Sequence, residues 1–310
     1  MEKSNQKLET KRIVIYLITT FVLTITYCLL VVYPLNNGAN IKNIPPVLVQ
    51  LLVAAAMFFP SIGVLITRLL TKEGFKNPML HPRFKGNLKY YFLAYFGPGL
   101  LTLLGCVCYF IVFPKNFDVD CGYMALTLEA AGAPANAIPI PLSLLMMIQV
   151  LQAFILGPIL NFVTCFGEEW GWRGYLLPKM EKKLNPLPML IITGMIWGLW
   201  HAPLTIIGHN YGVGYWGYPF TGIFAMCCFC IIIGVFLSYL TMRTRSCLPA
   251  VLAHGAINSI GAVGIYFTKD GGNPFVGPAP TGWIGGIPFI VTSVILYGCY
   301  FSRKAKEQES

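Results

Sequence analysis

Long uninterrupted apolar runs dominate this chain, with polar residues gathered between them. Eight such runs can be traced, roughly at positions 13–33, 47–69, 90–113, 141–166, 187–207, 220–240, 248–267 and 283–301. Each approaches the ~20 residues that an α-helix needs to cross a bilayer. Backbone N–H and C=O groups cannot go unpaired in lipid, so the runs predict helices rather than open strands. The expected fold is all-α, a polytopic membrane bundle of about eight transmembrane helices.

Composition agrees with this reading: of 310 residues, 56% are hydrophobic and only 11% charged, whereas a soluble domain carries about a quarter charged residues. The net charge of +10 changes meaning once it is mapped on the runs. If the loops alternate sides, every basic residue except Lys42, Lys115 and Lys269 falls on the side of the amino-terminal tail. The positive-inside rule then puts both termini in the cytoplasm. The charge reads as topology, and no nucleic-acid partner is expected. The first run is too long for a signal-peptide core and lacks a small-residue cleavage site, so it reads as retained.

Cysteines and loops add little chemistry. Most of the ten cysteines lie inside apolar runs, which argues against a disulfide framework. Cys227, Cys228 and Cys230 are better read as small apolar residues than as a metal cluster. The stretch 269–286 is rich in glycine and proline and predicts irregular turns. The stretch 176–188 mixes apolar and basic residues and is expected along the cytoplasmic interface.

Ionisable residues are far more selective. Ten of the twelve acidic residues sit in tails, loops or interfacial segments; only Glu168 and Glu169 fall where the pattern places the bundle interior. Of the four histidines, His81 is in a loop and His209 near a helix end, while His201 and His254 are within runs. An intramembrane ionisable residue is a functional-site candidate. Glu169 and Arg173 are four apart and share a helix face, in the favoured order for pairing. Glu168 points about 100° away, and no basic residue stands at its own i+3 or i+4 position. His254 and Asn258 are also four apart. Trp197 lies one turn before His201. Gln149, Gln152 and Asn161 fit helix-packing roles better than a cavity lining.

Helical rise puts Glu168 about 16 Å from Lys179, His201 about 20 Å from Pro188 and His254 about 10 Å from Cys247. All three can meet in the inner half or middle of the membrane, in a cavity open to the cytoplasm. Two carboxylates, two histidines and an amide suit water attack on a peptide bond. A buried carboxylate can act as general base, with histidine and asparagine donating to the oxyanion. Alternatively, Glu168, His201 and His254 could bind zinc as a hydrolytic site. The residues leave both routes open, so the cofactor is either Zn2+ or none.

The stretches EEWGWR (Glu168 to Arg173), WGLWH (Trp197 to His201) and HGAIN (His254 to Asn258) resemble the three motifs of the CPBP family. That family contains CaaX prenyl endopeptidases and bacteriocin-processing or immunity membrane proteases. Its pattern is EExxxR, FxxxH and HxxxN, in this order, and the resemblance covers about 141–265. It implies that Glu168 activates water with help from His201, and that Glu169 orients the site through Arg173. It further implies that His254 and Asn258 stabilise the oxyanion. Trp197 stands where the family usually has phenylalanine.

The expected organisation is a three-helix region with an outer loop at 1–140 and a catalytic core at 141–268. An outer loop, last helix and tail follow at 269–310. The expected function is an intramembrane endopeptidase in a bacterial or archaeal membrane rather than the endoplasmic reticulum. Its partners would be lipid and a membrane-embedded or lipidated peptide, prenylated or bacteriocin-like. A non-catalytic immunity or scaffolding protein of the same fold is the alternative. A transporter is less consistent, because no repeated half is evident.

Overall fold

Each apolar run becomes helical over most of its length in the computed structural model, which describes residues 2–37, 46–133 and 138–309. Lys42, expected on the outer side, lies outside the described residues. Among them no strand forms, only two isolated bridges. The helices that matter for the site are α1 (Glu2–Tyr27), α2 (Phe59–Leu70), α3 (Leu88–Val112) and α4 (Leu142–Ile155). They are followed by α5 (Phe162–Gly171), α6 (Pro186–Trp200), α7 (Phe220–Thr244), α8 (Leu248–Ile260) and α9 (Ile287–Leu296).

Five helical stretches are long and apolar enough to span a bilayer: Gln6–Leu35, Leu48–Leu70, Leu88–Val112, Phe220–Thr244 and Leu248–Phe267. Many large apolar side chains on them point outward, among them Leu30, Leu51, Ile111 and Phe224, as lipid-facing positions should. The chain is thus an all-helical, multi-pass integral membrane protein. The apolar helices Leu142–Ile155 and Pro186–Trp200 are shorter. The last run begins its helix at Ile287 rather than at Trp283.

The run at 141–166 is not the single helix its hydropathy predicts. It breaks at Leu156 and again at Asn161, leaving the short helix Gly157–Leu160 between α4 and α5. Pro158 is the cause, because proline has no N–H and its ring clashes with the preceding turn. The carbonyls released by the break find side-chain donors. Ser259 of α8 donates its hydroxyl to Ala153 O at 3.0 Å, and Tyr95 of α3 donates to Ile155 O. Asn161 Nδ2 caps Gly157 O at 3.0 Å. Helix then continues past 166, through both glutamates. It widens into a π-turn at Trp172–Leu176 and runs on as Leu177–Glu181.

That continuation falls in the stretch expected along the cytoplasmic interface. Lys179 is buried, with its ammonium 2.7 Å from Glu9 Oε2 and 2.6 Å from Glu73 Oε1. Arg12 pairs with Glu9 and lies 3.7 Å from Glu73, and Tyr175 donates its hydroxyl to Glu73 at 2.7 Å. One charge cluster therefore ties α1, the end of α2 and the segment after α5 together. All ten cysteines are free.

The tightest crossing joins α6 to α7. Gly194 and Gly198 are one turn apart and lie against the backbone at Ile231 and Cys227; a Cβ at Gly194 would come within 2.6 Å of Ile231 Cα. Small residues at this spacing let membrane helices approach closely. Gly298, by contrast, has nothing near it. Gly198→Val should force the helices apart at a cost of roughly 1–3 kcal/mol, while Gly298→Ala should be neutral. Thermal unfolding of both variants in detergent checks this.

Candidate functional site

Polar side chains gather where α5, α6 and α8 meet. Glu168 and Glu169 are buried near the end of α5, just before the π-turn. π-turns inside helices often mark functional positions. Glu169 is fully enclosed, and its Oε1 accepts two bonds, from Arg173 Nη1 at 2.8 Å and from His254 Nδ1 at 3.0 Å. The expected Glu169–Arg173 pair is present, and His254 of α8 joins it. Glu169 Oε2 has no protein partner.

Glu168 is held differently. Its Oε2 accepts the indole N–H of Trp197 at 2.8 Å and that of Trp172 at 3.3 Å. Oε1 makes no hydrogen bond to the described residues. Sequence reasoning looked for a cation near Glu168 and overlooked Trp172, a neutral donor at its own i+4 position.

His201 closes α6 where Pro203 prevents regular continuation. Its backbone N–H bonds to Gly198 O at 3.1 Å, one residue short of the α-helical partner. That leaves Trp197 O to the imidazole, whose Nδ1 lies 2.9 Å away. A carbonyl can only accept, so Nδ1 carries the proton and Nε2 presents a lone pair in the neutral ring. His254 is oriented by a carboxylate instead. Nδ1–H donates to Glu169, and a second proton at Nε2 would be balanced by that charge.

Trp197 touches Glu168, Arg173, His201 and His254. Its ring carries the Arg173 guanidinium 4.1 Å from the centroid and packs edge-on to His254 at 5.3 Å. The His201 ring lies 5.9 Å away. The structure thus brings Glu168, Glu169, Arg173, Trp197, His201 and His254 into one cluster. Asn258 stands apart, exposed, with Nδ2 donating to Cys165 Sγ at 3.6 Å. It lies one turn beyond His254 on α8 but has different neighbours. Gln149 and Gln152 are exposed on α4, and His81 and His209 are exposed elsewhere.

The first helix supplies a wall that the motifs did not reveal. Tyr16 is fully buried and packs on the rings of Trp172 at 5.9 Å and Tyr175 at 5.3 Å. Its hydroxyl rests against Gly171, where a side chain would collide with it and with Pro60. Thr24 accepts the indole N–H of Trp200 at 2.7 Å, and Trp200 packs edge-on to His201 at 4.8 Å. The only hint in the sequence is that Tyr16, Thr20 and Thr24 recur at four-residue spacing.

Zinc binding needs three or four converging donors. Among the described residues no group of three His, Cys, Asp or Glu side chains is arranged to hold a metal ion. Glu168, His201 and His254 are neighbours of Trp197 but do not form a ligand set in this arrangement.

Comparison with known proteins agrees with the motifs. Residues 146–260 match a family model described as type II CAAX prenyl endopeptidase Rce1-like, and this stretch contains every site residue named above except those of α1. A CAAX prenyl protease 2 from Methanococcus maripaludis is 27% identical over 99 residues, covering 29% of this chain and 34% of that one. Lysostaphin resistance protein A from Staphylococcus haemolyticus is 32% identical over 148 residues, covering 47% of this chain and 37% of that one. The chain therefore spans about a third of the length of the curated relatives it matches. Relatives from an archaeon and a bacterium accord with a prokaryotic membrane.

The two glutamates should respond differently to neutralisation. Glu169→Gln leaves Arg173 buried without its counter-charge and should cost about 3–5 kcal/mol. In Glu168→Gln the amide oxygen can still accept from both indoles, so the loss should be nearer 1 kcal/mol. Thermal unfolding of the purified variants gives the order directly.

Proposed function

We propose that this protein is an intramembrane endopeptidase that hydrolyses a peptide bond of a membrane-associated substrate with water activated by Glu168. One observation carries the reading. Glu168 is buried with one oxygen fixed by two neutral donors and the other without a partner among the described residues, and the Trp197 that holds it also orients, through its carbonyl, a histidine whose Nε2 presents a lone pair. A merely structural carboxylate would use both oxygens or sit against a cation, as Glu169 does.

The chemistry follows from these atoms. Glu168 Oε1 takes a proton from water, with His201 Nε2 orienting it, as the water oxygen attacks the scissile carbonyl carbon. His254, charged against Glu169, donates Nε2–H to the oxyanion, where a preorganised donor counts most. Asn258 has a second amide hydrogen and is the further oxyanion donor implied by the motif. Collapse of the tetrahedral species breaks the C–N bond, and the proton held by Glu168 passes to the leaving amine. Arg173 holds Glu169 in place, and Glu169 in turn orients the imidazole of His254. No step is routed through zinc, because the expected ligands do not converge.

The Rce1-like match supports a CAAX-type substrate, a peptide with a prenylated carboxyl-terminal cysteine, presented from the cytoplasmic side. The likeness to a lysostaphin resistance protein favours a second reading, an immunity or scaffolding role on the same fold. A quenched, membrane-anchored peptide library cleaved by purified protein in lipid separates them. Cleavage should occur in wild type, persist with a zinc chelator, and fall by at least ~100-fold in folded Glu168→Gln. Loss under chelation with recovery on added zinc would replace the glutamate mechanism by a metal one. Equal activity in Glu168→Gln would remove Glu168 from the chemistry.

A further inference from the structure

We infer that Trp197 is a positioning residue for Glu168, its indole N–H deciding which carboxylate oxygen meets water; this rests on the proposed hydrolytic reading. The 2.8 Å bond from Trp197 Nε1 is the shorter of the two that hold Oε2. It comes from a different helix, so it fixes the carboxylate relative to α6, where His201 also resides. The bond from Trp172 lies within the same helical segment as Glu168 and cannot set that relation.

Two further contacts fix the indole itself. The Arg173 guanidinium covers its face and the His254 ring packs edge-on against it, while the backbone carbonyl of the same residue holds His201 Nδ1. The side chain is almost completely buried, at 2% exposure. A cation on a tryptophan face and a full enclosure leave the ring little freedom, so the N–H direction is set before substrate arrives. Both groups of the proposed water-activating pair are thereby referenced to one residue. Glu168 is held by its side chain and His201 by its backbone. Phenylalanine, usual at this position in the resembling family, would keep the backbone contact and the apolar wall but could not donate. In this chain the position has acquired a function that the wall alone does not have.

The substitution that isolates the N–H is Trp197→Phe, together with the tryptophan isostere benzothienylalanine at 197, which keeps the ring volume and has sulfur in place of N–H. Loss of one hydrogen bond to a charged group predicts a fall in kcat of roughly 10- to 100-fold. KM should stay within about twofold, because no contact to substrate is removed. A wall or packing role alone would leave the isostere at wild-type kcat, and that result overturns the proposal. The isostere decides the matter if Trp197→Phe does not fold.

A second readout does not depend on activity. The chain has six tryptophans, so 15N-labelled indoles give six N–H resonances, and the one from Trp197 is identified by its loss in Trp197→Phe. It should lie downfield and move upfield in Glu168→Gln. A resonance that ignores Glu168→Gln overturns the bond even if the protein proves to be a protease. A wild-type protein that cleaves nothing overturns the hydrolytic reading and the positioning role with it, while the resonance still decides the bond.

Discussion

Two adjacent carboxylates buried in an apolar bundle are the constraint on which the surrounding structure turns. Removing a charge from water costs several kcal/mol unless partners replace the hydration. Successive helical positions point about 100° apart, so one partner cannot serve both. Glu169 is compensated by opposite charge, from Arg173 and the imidazole of His254. Glu168 is compensated by two neutral indoles on a single oxygen. The first solution makes a rigid ion pair. The second lowers the cost of burial without saturating the group, and so keeps it reactive.

Those donors are available because the helices carrying them are irregular. Proline at 158 and 203 ends regular helix on both sides of the site, and the π-turn after Gly171 widens the segment that carries Arg173. Side chains take up backbone acceptors near the two proline breaks. Ala153 O takes Ser259, Ile155 O takes Tyr95, and Trp197 O takes His201. Irregular backbone at membrane depth is tolerated where it is buried in protein. Here one of the freed carbonyls also sets the tautomer of a candidate catalytic histidine.

Much of this was legible from the residues alone. Hydropathy marked the helices because membrane spans must be apolar throughout, and the scarcity of charge made Glu168, Glu169, His201 and His254 conspicuous. Spacing gave the Glu169–Arg173 pair, since i,i+4 contacts are local. What stayed hidden was tertiary. The contacts of Tyr16 and Thr24 with the site span more than 150 residues of sequence, and nothing local announces them. The burial of Lys179 went unseen because its partners, Glu9 and Glu73, come from distant segments. Asn258 shares a helix face with His254 but turns to Cys165, a choice made by the neighbouring helix. The indole donors to Glu168 escaped notice because tryptophan in an apolar run reads first as bulk.

The packing of α1 bears on how the protein can be taken apart. The family model matches 146–260, and that stretch invites treatment as a portable module. Yet its Trp200 donates to Thr24, its Trp172 rests on Tyr16, and its Lys179 is neutralised by Glu9. Transplanted into another membrane scaffold, the segment would arrive with an indole N–H and an ammonium stripped of partners beside the glutamates. The boundary of the family match and the boundary of the packed unit around the site therefore do not coincide in this chain. Any chimera has to carry its own first helix with it.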